Sequence, residues 1–436
     1  MSEPSGNGTQ RPLRVAALGL SLLLAAACSG QTPGTEATRS STTTTTTTTT
    51  TPTAELPEDS LQAIVDELPE ALRVPGVVVG VSNARSSWLG AAGIDDVSAV
   101  SPMTPTRRFR AASITKLFTI TVVMGMVEDG RLSLDDRLST WFPSFPNAAD
   151  ITVRMLLAHT AGVNTDWWDH EDILDVTLAD LGKTWTPAEV IDLIAQRPPA
   201  GPPGGASLYS NTGYILLGEI ADAVGGAPIG TLIERTVIEP LRLAHTTYQF
   251  DNPPHLAHAY YDFAGETIDT GTMAINPLTS MAGAAGAIHT DAADLLRFFD
   301  ALFQSDRLLT PQTIRSLQST GHTSTRWGLG LMAYCPCEGD GAETTYAGWG
   351  HTGELPGYFS VAVHYPAPAV SIVVFLNRSA NDGQRFDHGF LDPIAERLLR
   401  TVVTQTEPTP PDQPRVRETS GHRTPAWPRT MEDYRP

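Results

Sequence analysis

The stretch RFRAASITKLFTI, residues 108–120, decides how the rest of the chain reads. It holds Lys116, one of only two lysines in the chain, the other being Lys183, so nearly every positive charge is an arginine. A guanidinium keeps its proton in a protein, whereas an amine taken out of water can act as a base. Ser113 and Lys116 stand at i and i+3, a spacing that puts both side chains on one helical face. From Leu117 to Val127 the residues are apolar nearly all round, which predicts a helix buried on most sides and ended by Asp129-Gly130. The start of such a helix presents free N–H groups and partial positive charge to a developing anion. Ser113 as a plain N-cap would account for the serine. It leaves Lys116 without a reason on so apolar a helix.

Two further stretches supply what a Ser-x-x-Lys pair needs. In ASLYSNTGYILLGEIA (206–221), Tyr209-Ser210-Asn211 follows a glycine-rich loop and precedes a helix. A phenol there relays a proton, and the Asn211 amide bonds a substrate amide or the lysine. Alone, the segment also reads as a helix cap, Asn211 or Thr212, beside a half-buried aromatic. In WGHTGELPGYFSVAV (349–363), His351-Thr352-Gly353 lies on or beside a strand. Glycine lets a substrate backbone lie close, Thr352 donates a hydrogen bond, and the N–H of Glu354 completes an oxyanion hole with that of Ser113. This too, alone, is an ordinary strand and turn.

In this order the three motifs resemble those of the penicillin-recognising serine hydrolases: class C β-lactamases, serine D-Ala-D-Ala carboxypeptidases, and related esterases and D-aminopeptidases. The likeness covers about residues 60–400. LLAHTAGV (156–163) is similar to the family's LLxHTSGL box, MVEDGRLSLDDRL (126–138) to the turn after its catalytic helix, and AGAIHTDAADLLRFF (285–299) to its AGGxxST helix start. The resemblance implies Ser113 as the acylated nucleophile, Lys116 as the activating amine and Tyr209 as the proton relay, with Asn211, His351, Thr352, Gly353 and Glu354 lining the substrate strand. Which of Lys116 and Tyr209 takes the first proton stays open, since the two act as a coupled unit. It implies an α+β fold of the β-lactamase/transpeptidase-like type. His351 stands where β-lactamases of this class carry lysine, so a substrate carboxylate meets a side chain with a reference pKa of about 6.5, not a permanent cation. The His-Thr-Gly form is closer to the carboxypeptidase and esterase branches.

Working outward, LQAIVDELPEAL (61–72) has helical spacing and GVVVGVSNARSSWLGAAGI (76–94) reads as two strands around a polar turn. Near the other end RWGLGLMAY, ETTYAGWGHT, GYFSVAVHY and AVSIVVFLN read as strands, the last two a hairpin turned at Pro366-Ala367-Pro368, before a closing helix DPIAERLLRTVVTQ (392–405). Residues 135–285 carry short helical patterns. The expected architecture is an antiparallel sheet flanked by helices, made from both ends of the chain, with a mostly helical lobe inserted and the site in the crevice between them. Thr290 or Asp291 is placed to cap the amphipathic helix that follows.

Four regions follow: 1–27, a lipoprotein signal peptide; 28–55, a threonine-rich tether; 56–403, the serine hydrolase domain; and 404–436, a proline-rich disordered tail. Arg11 and Arg14 precede the apolar run Val15–Ala27, too short to span a bilayer, and LLLAAACSG (22–30) resembles a bacterial lipoprotein signal with Cys28 as the lipidated residue. Ordinary secretion and an uncleaved anchor are the other readings. SSTTTTTTTTTTPTAE (40–55) is too polar and repetitive to bury a core. Export makes the compartment permissive for disulfides, and Cys335 and Cys337 in AYCPCEGDG read as a loop disulfide, as free or intermolecularly paired thiols, or as a redox pair.

A formal net charge of -19 argues against a nucleic-acid or anionic-membrane partner held by a basic surface. The expected partner is a small-molecule or peptide substrate (a D-amino-acid peptide, a β-lactam or an ester), with the membrane met only through the lipid anchor. No cofactor or metal is called for; His255 and His258 lack an acidic or cysteine partner at helical spacing. His159 reads as structural, and Trp167 and Trp168 as cleft wall or loop anchors. The function expected is a D-Ala-D-Ala carboxypeptidase or related D-amino-acid peptidase, with an esterase or β-lactamase of the same fold second and a non-catalytic envelope-binding protein third.

Overall fold

Every residue of GVVVGVS is buried, so the strand it forms, β1 (Gly76–Ser82), has to be covered on both faces. The computed structural model describes residues 55–164, 180, 182–263, 265–273, 275–319, 326–334, 346–381, 384–385 and 389–404. The expected signal peptide, nearly all of the tether, the tail beyond 404, Cys28, Cys335, Cys337, Trp167 and Trp168 lie outside the described residues.

β1 joins β2 (Ser87–Asp96), β3 (Ser101–Pro102), β9 (Met332–Tyr334), β10 (Gly348–Leu355), β11 (Tyr358–Tyr365) and β12 (Val370–Leu376) in one seven-stranded sheet of order β3-β2-β1-β12-β11-β10-β9. The ladders are antiparallel, with Val79 opposite Val374 and Val361 opposite Val374 on its other side. Side chains alternate across a strand, and the sequence uses the alternation to feed two cores. Val77, Val79, Val81, Val361, Ile372 and Val374 pack with Leu61, Val65 and Leu68 of α1 (Glu58–Leu72) and Ile394 and Leu398 of α7 (Asp392–Thr404). On the opposite face Val78, Ala362, Val373 and Phe375 join a larger core containing Leu117 and Phe118 of α2 (Thr115–Glu128) and Leu295 and Phe298 of α6 (Ala292–Phe303). Of the two candidate caps for α6, Asp291 holds the position, its carboxylate accepting the Asp294 N–H at 2.8 Å.

The inserted part contains α3 (Val153–Leu157), α4 (Pro187–Ala195) and α5 (Asn211–Gly225), with α5 against α2. The pattern at 229–241 is helical as well, and short strands run beside these helices. β4 (Phe109–Arg110) and β5 (Thr247–Tyr248) flank β8 (Ile288–Thr290), and β6 (Tyr260–Phe263) pairs with β7 (Glu266–Asp269). Such runs of two to four residues are too short to show a period of two in sequence. The expected strand RWGLGLMAY likewise shrinks to Met332–Tyr334, because Gly330, at φ 83°, turns the chain just before it.

Phe109 ties the Ser113 region to the sheet, meeting Tyr358 of β11 edge-on at 6.2 Å as well as β12. Phe109 of β4 stacks on Phe375 of β12 at 4.7 Å, nearly parallel, and both rings are fully buried. Phe375→Ala removes a buried ring and leaves a cavity; it should cost about 3–5 kcal/mol, read as a drop in the urea midpoint.

Candidate active site

The chain enters the site along β4 and turns through a single 3-10 turn, Ala112–Ile114, into α2. Ala112, the residue before Ser113, sits at φ 49°, in the left-handed region that costs an alanine about 1 kcal/mol or more. The turn is held open by its surroundings: Ala111 N–H donates to the Ile288 carbonyl at 2.9 Å, and the Thr115 hydroxyl accepts the Ile288 N–H at 3.0 Å. From the other side β10 comes so close that a Cβ on Gly353 would lie 2.2 Å from the Ala111 carbonyl oxygen. Only glycine allows that approach.

Lys116, the second residue of α2 and one turn beyond Ser113, is fully buried. Its Nζ donates to Ser113 Oγ at 3.0 Å, to Asn211 Oδ1 at 2.6 Å and to the Ala285 carbonyl at 3.1 Å. Three acceptors suit an ammonium. They suit a neutral amine equally, which would donate to Asn211 and Ala285 and accept the hydroxyl proton of Ser113. Tyr209 completes the group, its hydroxyl donating to Ser113 Oγ at 2.8 Å. Ser113, Lys116, Tyr209 and Asn211 thus form one hydrogen-bonded cluster, with Asn211 opening α5 behind the Ser210 cap. Thr352 and Gly353 lie alongside on β10. The ring of His351 is fully buried, packed on Trp327 at 5.3 Å and Tyr209 at 6.1 Å, and its Nδ1–H donates to the Thr352 carbonyl. Glu354 is partly exposed.

Two residues matter more here than their sequence context suggests. The His159 carbonyl accepts the Leu208 N–H at 2.8 Å and its Nδ1 accepts the Ser210 N–H at 3.2 Å, so one residue grips the backbone on both sides of Tyr209. Its ring lies 4.6 Å from that of Tyr209, and burial, then the nearby Lys116, hold its pKa down to about 3. It is therefore a neutral acceptor at any working pH. Trp327, 5.5 Å from Tyr209 and 5.1 Å from His159, walls the same cluster. Nothing in RWGLGLMAY distinguishes that tryptophan from a core aromatic. The HTAG box did flag His159, and its left-handed φ of 57° is what lets carbonyl and ring face the same strand of chain.

Residue types alone do not make a site. On α6 and the sheet, Asp300, Ser371 and His364 also come together: Ser371 Oγ donates to Asp300 at 3.2 Å, and His364 Nδ1 meets Ser371 Oγ at 3.0 Å. Here the acid bonds the serine, Ser371 and His364 are buried while Asp300 is half-buried, and burial pushes His364 down to about 4. The grouping is a tie between helix and sheet. Among the described residues no group of three or more His, Cys, Asp or Glu is placed to hold a metal ion.

A family model described as Beta-lactamase matches residues 61–397. Penicillin-binding protein 4* of Bacillus subtilis is 24% identical over 336 residues, covering 73% of this chain and 71% of that protein. Esterase EstB of Burkholderia gladioli is 26% identical over 346 residues, covering 71% of this chain and 81% of the esterase. Among solved structures, D-amino acid amidase from Ochrobactrum anthropi SV3, complexed with L-phenylalanine amide, is similar over 80% of this chain and 99% of its own, at a TM-score of 0.67 and 25% identity.

A buried imidazole with a depressed pKa makes the unfolded chain bind more protons between the folded and unfolded values, so its contribution to stability is present above about 6.5 and is lost as pH falls toward 3. Buried carboxyls with raised pKa, such as Asp300, act in the opposite sense. The readout is therefore a difference: wild type should lose more melting temperature than His159→Gln between pH 7 and pH 5.

Proposed function

We propose that this chain, which belongs to the beta-lactamase family and is a serine hydrolase, cleaves D-amino-acid peptides or amides at the cell envelope, with removal of a terminal D-Ala from D-Ala-D-Ala peptides as its reaction. Its antiparallel sheet between helical layers is the β-lactamase-like arrangement that the motifs implied. The observation that carries the proposal is the position of Ser113 Oγ, 3.0 Å from Lys116 Nζ and 2.8 Å from the Tyr209 hydroxyl.

In this reading Ser113 Oγ attacks the scissile carbonyl carbon while its proton passes into the Lys116–Tyr209 pair. The carbonyl electron pair moves onto oxygen, where the N–H groups of Ser113 and Glu354 receive it. Collapse re-forms the carbonyl, breaks the C–N bond and returns the proton to the departing amine. Water then attacks the ester, loses its proton to the same pair, and frees Ser113 as the acid leaves. Asn211, bonded to Lys116, keeps the amine aimed at the reacting oxygen, and Thr352 and Gly353 present strand β10 to the substrate backbone.

The ring of His351 is buried and bonded to the Thr352 carbonyl where β-lactamases carry lysine, and this His-Thr-Gly form supports the carboxypeptidase and esterase readings over a β-lactamase. A second reading, an esterase, has its own support: the likeness to EstB spans about as much of this chain as that to penicillin-binding protein 4*. We also infer an exported lipoprotein, supported by Arg11, Arg14, the Val15–Ala27 run and Cys28.

A labelled fluorophosphonate or penicillin should form an adduct on the wild type and none on Ser113→Ala; equal labelling of both would overturn the nucleophile. Tyr209→Phe should lower kcat by about 10²–10⁴-fold with the fold intact. Rates on a D-Ala-D-Ala peptide, nitrocefin and a p-nitrophenyl ester rank the readings, the peptide being fastest if the proposal holds. Cys28→Ala should abolish labelling by radioactive palmitate in a bacterial host and shift the protein out of the membrane fraction.

A further inference from the structure

The strand leading into Ser113 carries an uncompensated charge. Arg110 of β4 is the register partner of His289 in β8, and directly opposed residues of an antiparallel pair project from the same face. Both are interior, Arg110 being 1% exposed and His289 0%. Arg110 Nη2 donates to Asn252 Oδ1, but among the described residues Nε and Nη1 have no acceptor, and neither ring nitrogen of His289 has a hydrogen-bond partner. Buried donors are nearly always satisfied, so four such nitrogens on two facing side chains need an explanation.

The neighbours do not supply one. Asn252 is already engaged, its Nδ2 donating to the carbonyls of Gly271 at 3.0 Å and Met273 at 3.2 Å beyond the β6–β7 hairpin. Tyr358, whose ring centroid is 6.0 Å from the guanidinium carbon, gives its proton to the Ala257 carbonyl at 2.8 Å and leaves its oxygen as an acceptor beside Arg110, but neither Nε nor Nη1 meets that oxygen with hydrogen-bond geometry. Asp251 is the carboxylate felt by Arg110; it forms no ion pair with it among the described residues and accepts instead from Asn276 Nδ2 at 2.6 Å. Arg108 adds a second positive charge near His289, and the Ala287 carbonyl lies near that ring without hydrogen-bond geometry. Burial, and then these arginines, hold the His289 imidazole well below its ordinary pKa, so it is neutral and carries one N–H. A trapped water would satisfy donors, but it would leave the guanidinium charge unbalanced in the interior.

We propose that Arg110 and His289 bind a small monovalent inorganic anion, of chloride size, between β4 and β8, held by Nε–H and Nη1–H of the guanidinium and the N–H of the imidazole. The anion neutralises Arg110 and pins β4 to β8 three residues ahead of Ser113, so its effect falls on stability. The inference does not depend on which acyl substrate the enzyme takes.

Crystals of the full protein grown with sodium bromide in place of chloride test the site directly. An anomalous bromide peak within hydrogen-bonding distance of Arg110 and His289 is expected; water or no density there overturns the proposal. In solution, melting temperature should be higher in sodium chloride than in sodium gluconate at equal ionic strength. Above the dissociation constant, each tenfold rise in chloride should raise the folding equilibrium constant about tenfold. His289→Phe should weaken that dependence and Arg110→Gln abolish it, and identical melting of the wild type in the two salts counts against an anion. Should Arg110→Gln fail to fold, the bromide map of the wild type decides alone.

Discussion

One nitrogen, kept out of water, sets the geometry of the site. Lys116 Nζ touches oxygens from three separate pieces of chain: Ser113 in the turn before α2, Asn211 at the start of α5, and Ala285 just ahead of β8. A buried amine that loses such partners has no solvent to replace them, so moving any one of the three elements leaves a polar group stranded. The fold therefore holds the site and the site holds the fold. The same logic explains the left-handed Ala112 and the bare Cα of Gly353. Both are local costs that bring the serine-bearing turn and β10 close together, and both are tolerated because bonds to Ile288 fix the turn from behind.

His159 shows how a residue can shape the cluster without being one of its members. Its carbonyl and its ring hold the chain on either side of Tyr209, and its neutrality keeps a second positive charge away from Lys116. The Asp300–Ser371–His364 group is the counterexample: three residue types associated with hydrolysis, closely spaced, in an order that transfers no proton from serine to imidazole. Order of contact, more than residue identity, separates the two clusters.

Much of this was visible in the sequence wherever it rests on strong local pattern. Val77 to Val81 and Val370 to Leu376 announce central strands by composition, and the spacing of Ser113 and Lys116 is a direct consequence of helical pitch. The proximity of Tyr209 to Ser113 came from a resemblance, since no periodicity connects positions so far apart in the chain. The part played by Trp327 and the double grip of His159 were hidden because they depend on tertiary neighbours and on a backbone angle. The short strands β4, β5 and β8 were hidden for another reason: pairs of residues carry too little pattern, and their pairing is a decision of the surrounding core.

The sheet's central seam joins β1, near the beginning of the described chain, to β12, near its end. That ladder closes a loop containing almost every other element, including all of the residues around Ser113. Such a topology has a high contact order, so collapse cannot settle into the final arrangement until the last strand has been synthesised. During translation the N-terminal hairpin must wait with its valines exposed, which makes this a chain that leaves the ribosome unfinished and depends on being kept from aggregating until its two ends meet.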